Sequence, residues 1–173
     1  MSWSRAGING LLLSSLFIIQ ESAISKIQFP IATFSFYLCA LLGLMALEDR
    51  FGAIALGFIG GIIQDLSPST DSPLGKWALI LTIVGFLFSR NRESIGDFTE
   101  RPLAFVLFVT VGVSFTLIIF LLLGIILGEN NGNMAVNFQI IFGNALWILL
   151  FSPILLPGLA KFRSFTLASS DHR

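Results

Sequence analysis

Histidine, cysteine and tyrosine each occur once, and charged residues make up only 12% of the 173 residues. The single cysteine, Cys39, excludes an internal disulfide and any cysteine-built metal site. Its place inside an apolar stretch reads as a small buried residue. The single histidine, His172, is next to last and has no ligand partners near it, which reads as solvated and not catalytic. Ten basic and ten acidic residues cancel to a formal charge of zero, so the basic footprint that holds nucleic acid is absent. H-E-x-x-H, G-x-S-x-G and G-x-x-x-x-G-K-[ST] are all missing, and no His, Cys and carboxylate residues cluster at metal spacing. An enzyme would lack a nucleophile, an acid–base pair or a metal set, so neither catalysis nor a cofactor is expected. Gln20, Ser114, Asn137 and Asn144 are too sparse along the apolar runs to define a binding cavity, and no ionisable pair there could serve as a proton relay.

What the chain has in quantity is apolar side chain: 55% of residues, with a mean hydropathy of +0.89. A water-soluble globule of this composition could not cover itself. Six apolar runs bounded by charges or turn residues predict an all-α polytopic membrane protein, one integral domain over residues 1–173 with six transmembrane helices in one bundle. The expected spans are 7–27, 30–47, 51–66, 74–89, 102–127 and 138–159. Alternation of period two is absent, which leaves helices as the spanning structure. Pro30 suits a first helical turn, and Glu48, Asp49 and Arg50 end the second run. Residues 67–73 read as a polar hairpin, residues 90–101 as a charged loop, and residues 128–133 as the turn after the fifth run. Pro153 and Pro157 predict a bend in the last run. The start of the chain imitates a secretory leader, but a multi-spanning remainder favours a retained first span.

Orientation follows from the basic residues, since short positively charged connections stay cytoplasmic. Six spans with the N-terminus inside place Arg5, Arg50, Arg90, Arg92, Arg101, Lys161, Arg163 and Arg173 on the inner side. Only Lys26 and Lys76 are left outside. Both termini are therefore expected in the cytoplasm.

The third run carries small residues at helical spacing. Ala53, Gly57 and Gly61 recur every four residues and share one face, with Gly52 and Gly60 forming a second row. Such a face admits another helix at close range, and in lipid that contact is what stabilises association. Two readings are open: a partner-binding face, or packing inside the chain's own bundle. Gly124 and Gly128 repeat the spacing, with Gly128 also readable as a helix end. Asp65 reads as a turn-fixing carboxylate that accepts amide hydrogens from the start of the fourth helix. A transport carboxylate is the alternative. Lys76 faces Asp65 or Asp71 across the hairpin or snorkels to the interface. Asn144 is a candidate for a hydrogen bond between helices.

The segment from Gly57 through Gly61 to Asp65 and Leu66, a polar turn, then Pro73, Leu74 and Gly75 ahead of an apolar helix with Val84, Gly85, Phe86 and Leu87, resembles the rod shape-determining protein MreD family. Asn144, Ala145, Leu146 and Trp147, followed by a basic C-terminus, extend the likeness over nearly the whole chain. Ile31 stands where the family often has an acidic residue, and the hairpin from Asp65 to Gly75 is longer than usual. The resemblance implies a non-enzymatic component of the lateral-wall elongation machinery in the bacterial cytoplasmic membrane. Its implied partners are a single-span protein of the MreC type and, through it, MreB, RodA and a class B penicillin-binding protein. The family is distantly similar to the six-helix substrate-binding subunits of vitamin transporters. A small-solute transporter or substrate-binding membrane subunit is accordingly the rival reading.

Overall fold

The computed structural model describes residues 3–22, 34–67, 72–95, 101–129 and 132–170. Among these the secondary structure is six α-helices and no strand: α1 (Trp3–Ser22), α2 (Phe36–Leu47), α3 (Arg50–Asp65), α4 (Lys76–Ile95), α5 (Pro102–Ile126) and α6 (Met134–Ser170). Lys26, Pro30, Ile31, residues 68–71 with Asp71, residues 96–100 and His172 lie outside the described residues.

Local chemistry sets several helix ends. The Asp49 side chain accepts from the Gly52 amide at 3.3 Å and caps α3, and Pro102 opens α5 where a missing N–H costs nothing. At the far end of α5, Gly128 takes a φ of +76°, and the Glu129 amide returns to the Gly124 carbonyl at 2.9 Å. That left-handed cap makes Gly128 a helix terminus and not part of a packing stripe.

Several boundaries differ from expectation: α1 starts at Trp3 and not at 7, α6 starts at Met134 and not at 138, and α2 starts at Phe36 after non-helical Phe34 and Ser35, so its 12 helical residues do not reach back to Pro30. Helix α4 continues to Ile95, so residues 90–95 are helical where a loop is expected. Arg and Glu are good helix formers, so a charged continuation of the helix keeps its own backbone bonds. Helix α6 likewise runs on to Ser170 with Pro153 and Pro157 inside it, past the expected end at 159.

Every residue of α2 from Tyr37 to Leu47 is buried, and α2 touches each of the other five helices. It is the axis of the bundle. The exterior is apolar on several sides, with Phe51 and Phe58 on α3, Leu79 and Ile83 on α4, Val111 and Leu122 on α5, and Phe138 and Ile154 on α6 all exposed. A water-soluble monomer rarely exposes apolar surface on this scale. Helix α5 and the Met134–Leu159 part of α6 are each long and apolar enough to cross a membrane.

Candidate functional site

The motif residues converge on the α3–α4 hairpin. Along it the two backbones touch. A Cβ on Gly57 would meet the Leu81 carbonyl, one on Gly61 would meet Ala78 Cα and N, and one on Gly85 would meet the Ala53 carbonyl. Positions 53, 57 and 61 thus mesh in antiparallel order with 85, 81 and 78. Such an approach is open only to residues without a side chain at the contact, and in a bilayer the dispersion it gains is a main source of helix–helix stability.

The outcome decides between the two readings of the stripe in favour of packing inside the chain's own bundle. The stripe of Ala53, Gly57 and Gly61 is covered by α4 of the same chain, so no partner helix can lie on it. The neighbouring row is also taken inside the bundle. Gly60 would place a Cβ 2.7 Å from Leu41 of α2, and the Tyr37 hydroxyl donates to the Gly60 carbonyl at 2.8 Å. Helix α3 is therefore clamped between α2 and α4, with Gly60 against α2 and Gly57 and Gly61 against α4, while Gly52 faces Glu48 and Asp49 in the turn before it.

Asp65 sits at the C-terminal end of α3 and is buried. Its Oδ2 accepts from the Gly75 and Ala78 amides and its Oδ1 from the Trp77 amide, each at 3.0 Å. These are amides that the first turn of α4 cannot satisfy by itself. An N-cap residue usually supplies such an acceptor; here the preceding helix does, and its negative charge faces the positive end of the α4 dipole. Pro73, Leu74 and Gly75 shape the approach. The Lys76 amide donates to the Pro73 carbonyl at 3.2 Å, and Gly75 has φ +93°, the left-handed third position that a type II turn reserves for glycine.

Lys76 departs from expectation. Its Nζ lies 2.6 Å from Glu129 Oε2, with the lysine side chain 2% exposed and the glutamate 24%, and 3.7 Å from the centroid of the Phe120 ring. It neither pairs with Asp65 nor snorkels; it ties the start of α4 to the turn after α5.

A layer of polar groups surrounds this junction. The Gln20 side chain donates to the Phe34 carbonyl at 3.2 Å and accepts from the Tyr37 amide at 3.3 Å. Asn144 accepts from the Ser35 amide and donates to the Ser35 hydroxyl, both at 2.9 Å. The Ser67 hydroxyl donates to Glu21 at 3.1 Å. A cavity of about 130 Å³ opens here, lined by Gln20, Glu21, Ser35, Tyr37, Gln64 and Trp77 together with Leu38 and Leu117. It has room for a small cluster of water molecules or a very small solute. Most of its polar wall is committed to framework bonds. A larger groove of about 460 Å³ between α5 and α6 is lined mainly by Ile118, Leu121, Leu122, Ile125, Phe138 and Ile141.

Among the described residues, no three His, Cys, Asp or Glu side chains come together to hold a metal ion. Sequence reasoning missed Ala78 and Gly85 as the complement of the α3 stripe. Their spacing puts them on one face of α4, a signal available in the sequence. The Lys76–Glu129 pair, 53 residues apart, has no such local signal. No protein-family model, characterised protein or solved structure matches the chain.

Proposed function

We propose that the chain is a six-span, non-enzymatic scaffold of the cell-wall elongation machinery, seated in the bacterial cytoplasmic membrane with both termini inside. In this reading it holds a single-span partner of the MreC type and, through it, serves MreB, RodA and a class B penicillin-binding protein in maintaining cell shape. One observation carries the reading. The residues by which the chain resembles the MreD family, Gly57, Gly61, Asp65 and Gly75, are the ones that join α3 and α4 into a backbone-to-backbone hairpin. Such a hairpin holds loops and outer helix faces in fixed relation, which is what a scaffold requires. Asp65 accepts three backbone hydrogens, a structural use that a cycling transport carboxylate does not have. Because the glycine stripe is internal, the partner is met on the outward faces.

Carriage of a small polar solute is the second reading, favoured by the cavity beside Gln64 and Glu21. Purification of the tagged chain from its own host in mild detergent separates the two. Stoichiometric recovery of a single-span protein, with loss of rod shape on depletion, is the expected result. A preparation free of any partner but carrying a small molecule detectable by mass spectrometry would overturn the scaffold in favour of the carrier.

A further inference from the structure

The groove of about 460 Å³ between α5 and α6 is graded along its length. Ile118, Leu122 and Ile125 of α5 and Phe138 and Ile141 of α6 give it apolar sides, and Glu129, in the turn that joins the two helices, stands at its head. A pocket of this size, apolar along its sides and polar at one end, suits an amphiphile. From Ile118 to the end of α5 at Ile126 the wall rises about 12 Å at 1.5 Å per residue. That is close to one leaflet, about half of a hydrocarbon core of roughly 30 Å. The depth takes an acyl chain of a single leaflet; a helix crossing the membrane would need a groove along the whole of α5.

Glu129 sets the chemistry of the head. Among the described residues it is the one ionisable side chain in the lining. Its Oε2 takes the Lys76 ammonium at 2.6 Å, while its Oε1 is buried with no hydrogen-bond partner. The carboxylate therefore has bonding capacity left, and a charged donor is its strongest match. Lys76 is 2% exposed and lies against the Phe120 ring, so it offers no positive charge to an anionic head in the groove. The glutamate side chain keeps 24% exposure. A Cβ on Gly128 or Gly132, the glycines flanking this end, would meet nothing within 4 Å, which leaves open space beside the head.

We propose that this groove binds one phospholipid of the ethanolamine class, its acyl chain along Leu122, Ile125 and Phe138 and its ammonium donating to the Glu129 carboxylate. A choline head has no N–H to donate, and a glycerol head brings a net negative charge toward the glutamate. The inference requires that α5 and the start of α6 lie in a bilayer, and it is independent of the scaffold reading.

The test titrates the delipidated full chain in detergent with dioleoyl phosphatidylethanolamine, phosphatidylcholine or phosphatidylglycerol and counts retained lipid by native mass spectrometry. Expected is one phosphatidylethanolamine held about tenfold more tightly than either other lipid, the worth of one bond to a charged group. The double variant Lys76→Met with Glu129→Gln removes the carboxylate without burying either charge alone, and should hold phosphatidylethanolamine and phosphatidylcholine equally. Ile125→Trp keeps Glu129 and fills the apolar side, and should lose the lipid. Equal retention of the three lipids by the parent, or preference for phosphatidylglycerol, would overturn the proposal. Unchanged phosphatidylethanolamine binding by Ile125→Trp would put the lipid elsewhere on the surface and overturn the site. A dimer that excludes lipid would assign the groove to a second copy of the chain and overturn it as well. Should the double variant fail to fold, the parent's lipid ranking and Ile125→Trp still decide.

Discussion

The Asp65 carboxylate and the Ala78 amide are 3.0 Å apart although 13 residues separate them in sequence, and Ala78 is also the residue whose backbone Gly61 touches. The polar and steric fastenings of the hairpin thus meet at one position. Each holds the other in register: the glycine contact brings the α4 amides within reach, and the carboxylate keeps the helix end from sliding.

Asp65→Leu leaves three amides in a buried place without an acceptor and is expected to destabilise the chain by about 3 kcal/mol, the upper end for bonds to a charged group. Asp65→Asn keeps one acceptor oxygen and loses the charge facing the α4 dipole, for a cost of about 1–2 kcal/mol. Thermal unfolding in detergent, followed by circular dichroism, measures both. Equal stability of Asp65→Leu and the parent would remove the turn-fixing role.

Gly57→Leu and Gly61→Leu drive a side chain into backbone atoms of α4. Backbone cannot step aside as a side-chain tip can, so the loss should reach or exceed about 3 kcal/mol, the top of the usual overpacking range. These variants are expected to fold poorly and to lose partner recovery only as a consequence. Gly10→Ala, whose Cβ has nothing within 4 Å, should be at least as stable as the parent, by up to about 1 kcal/mol. A well-folded Gly61→Leu protein that has lost only its partner would restore the partner-face reading of the stripe.

The buried Lys76–Glu129 pair yields a cycle. Lys76→Met strands Glu129, and Glu129→Gln strands a lysine that is 2% exposed; breaking such a pair from one side typically costs about 3–5 kcal/mol. Glu129 keeps some exposure, so the lower figure applies. The double variant Lys76→Met with Glu129→Gln should recover much of the loss, since neither charge is then buried alone. Additive losses in unfolding midpoint would show that the two side chains act independently.

Helix existence was legible because the apolar runs are long and interrupted by charges and turn residues; α5 was expected at 102–127 and is observed at Pro102–Ile126. The ends of α4 and α6 were not, since hydropathy reports where a helix leaves an apolar region and not where its hydrogen bonding stops. Asp65 could be placed at the hairpin from its position after an apolar run. That Gly57 and Gly61 meet α4 and not a partner could not be read from their spacing, which is the same for either neighbour. The missing half of the clue lay in Ala78 and Gly85. Lys76 and Glu129 are joined only through the docking of two hairpins, a tertiary relation with no local pattern.

Arg50 begins α3, Arg90 lies on α4 past its apolar stretch, Arg101 precedes α5, and Lys161 follows the apolar part of α6. Antiparallel packing of α3 with α4 through Ala53 and Gly85, and of α4 with α5 through Phe88 and Phe108, gathers Arg50, Arg90 and Arg101 at one end. In the proposed six-span topology, cytoplasmic retention of short basic segments would put that end inside. Leu74 and Gly132 are exposed near the opposite end. In a Cys39→Ala background, Leu74→Cys and Gly132→Cys should react with a membrane-impermeant maleimide in intact cells. Arg101→Cys and Lys161→Cys should react only after permeabilisation. Labelling of Arg101→Cys from outside would invert the orientation. Labelling of all four from outside would mean that the chain does not cross the membrane between them, and the scaffold would have to be sought on a membrane surface.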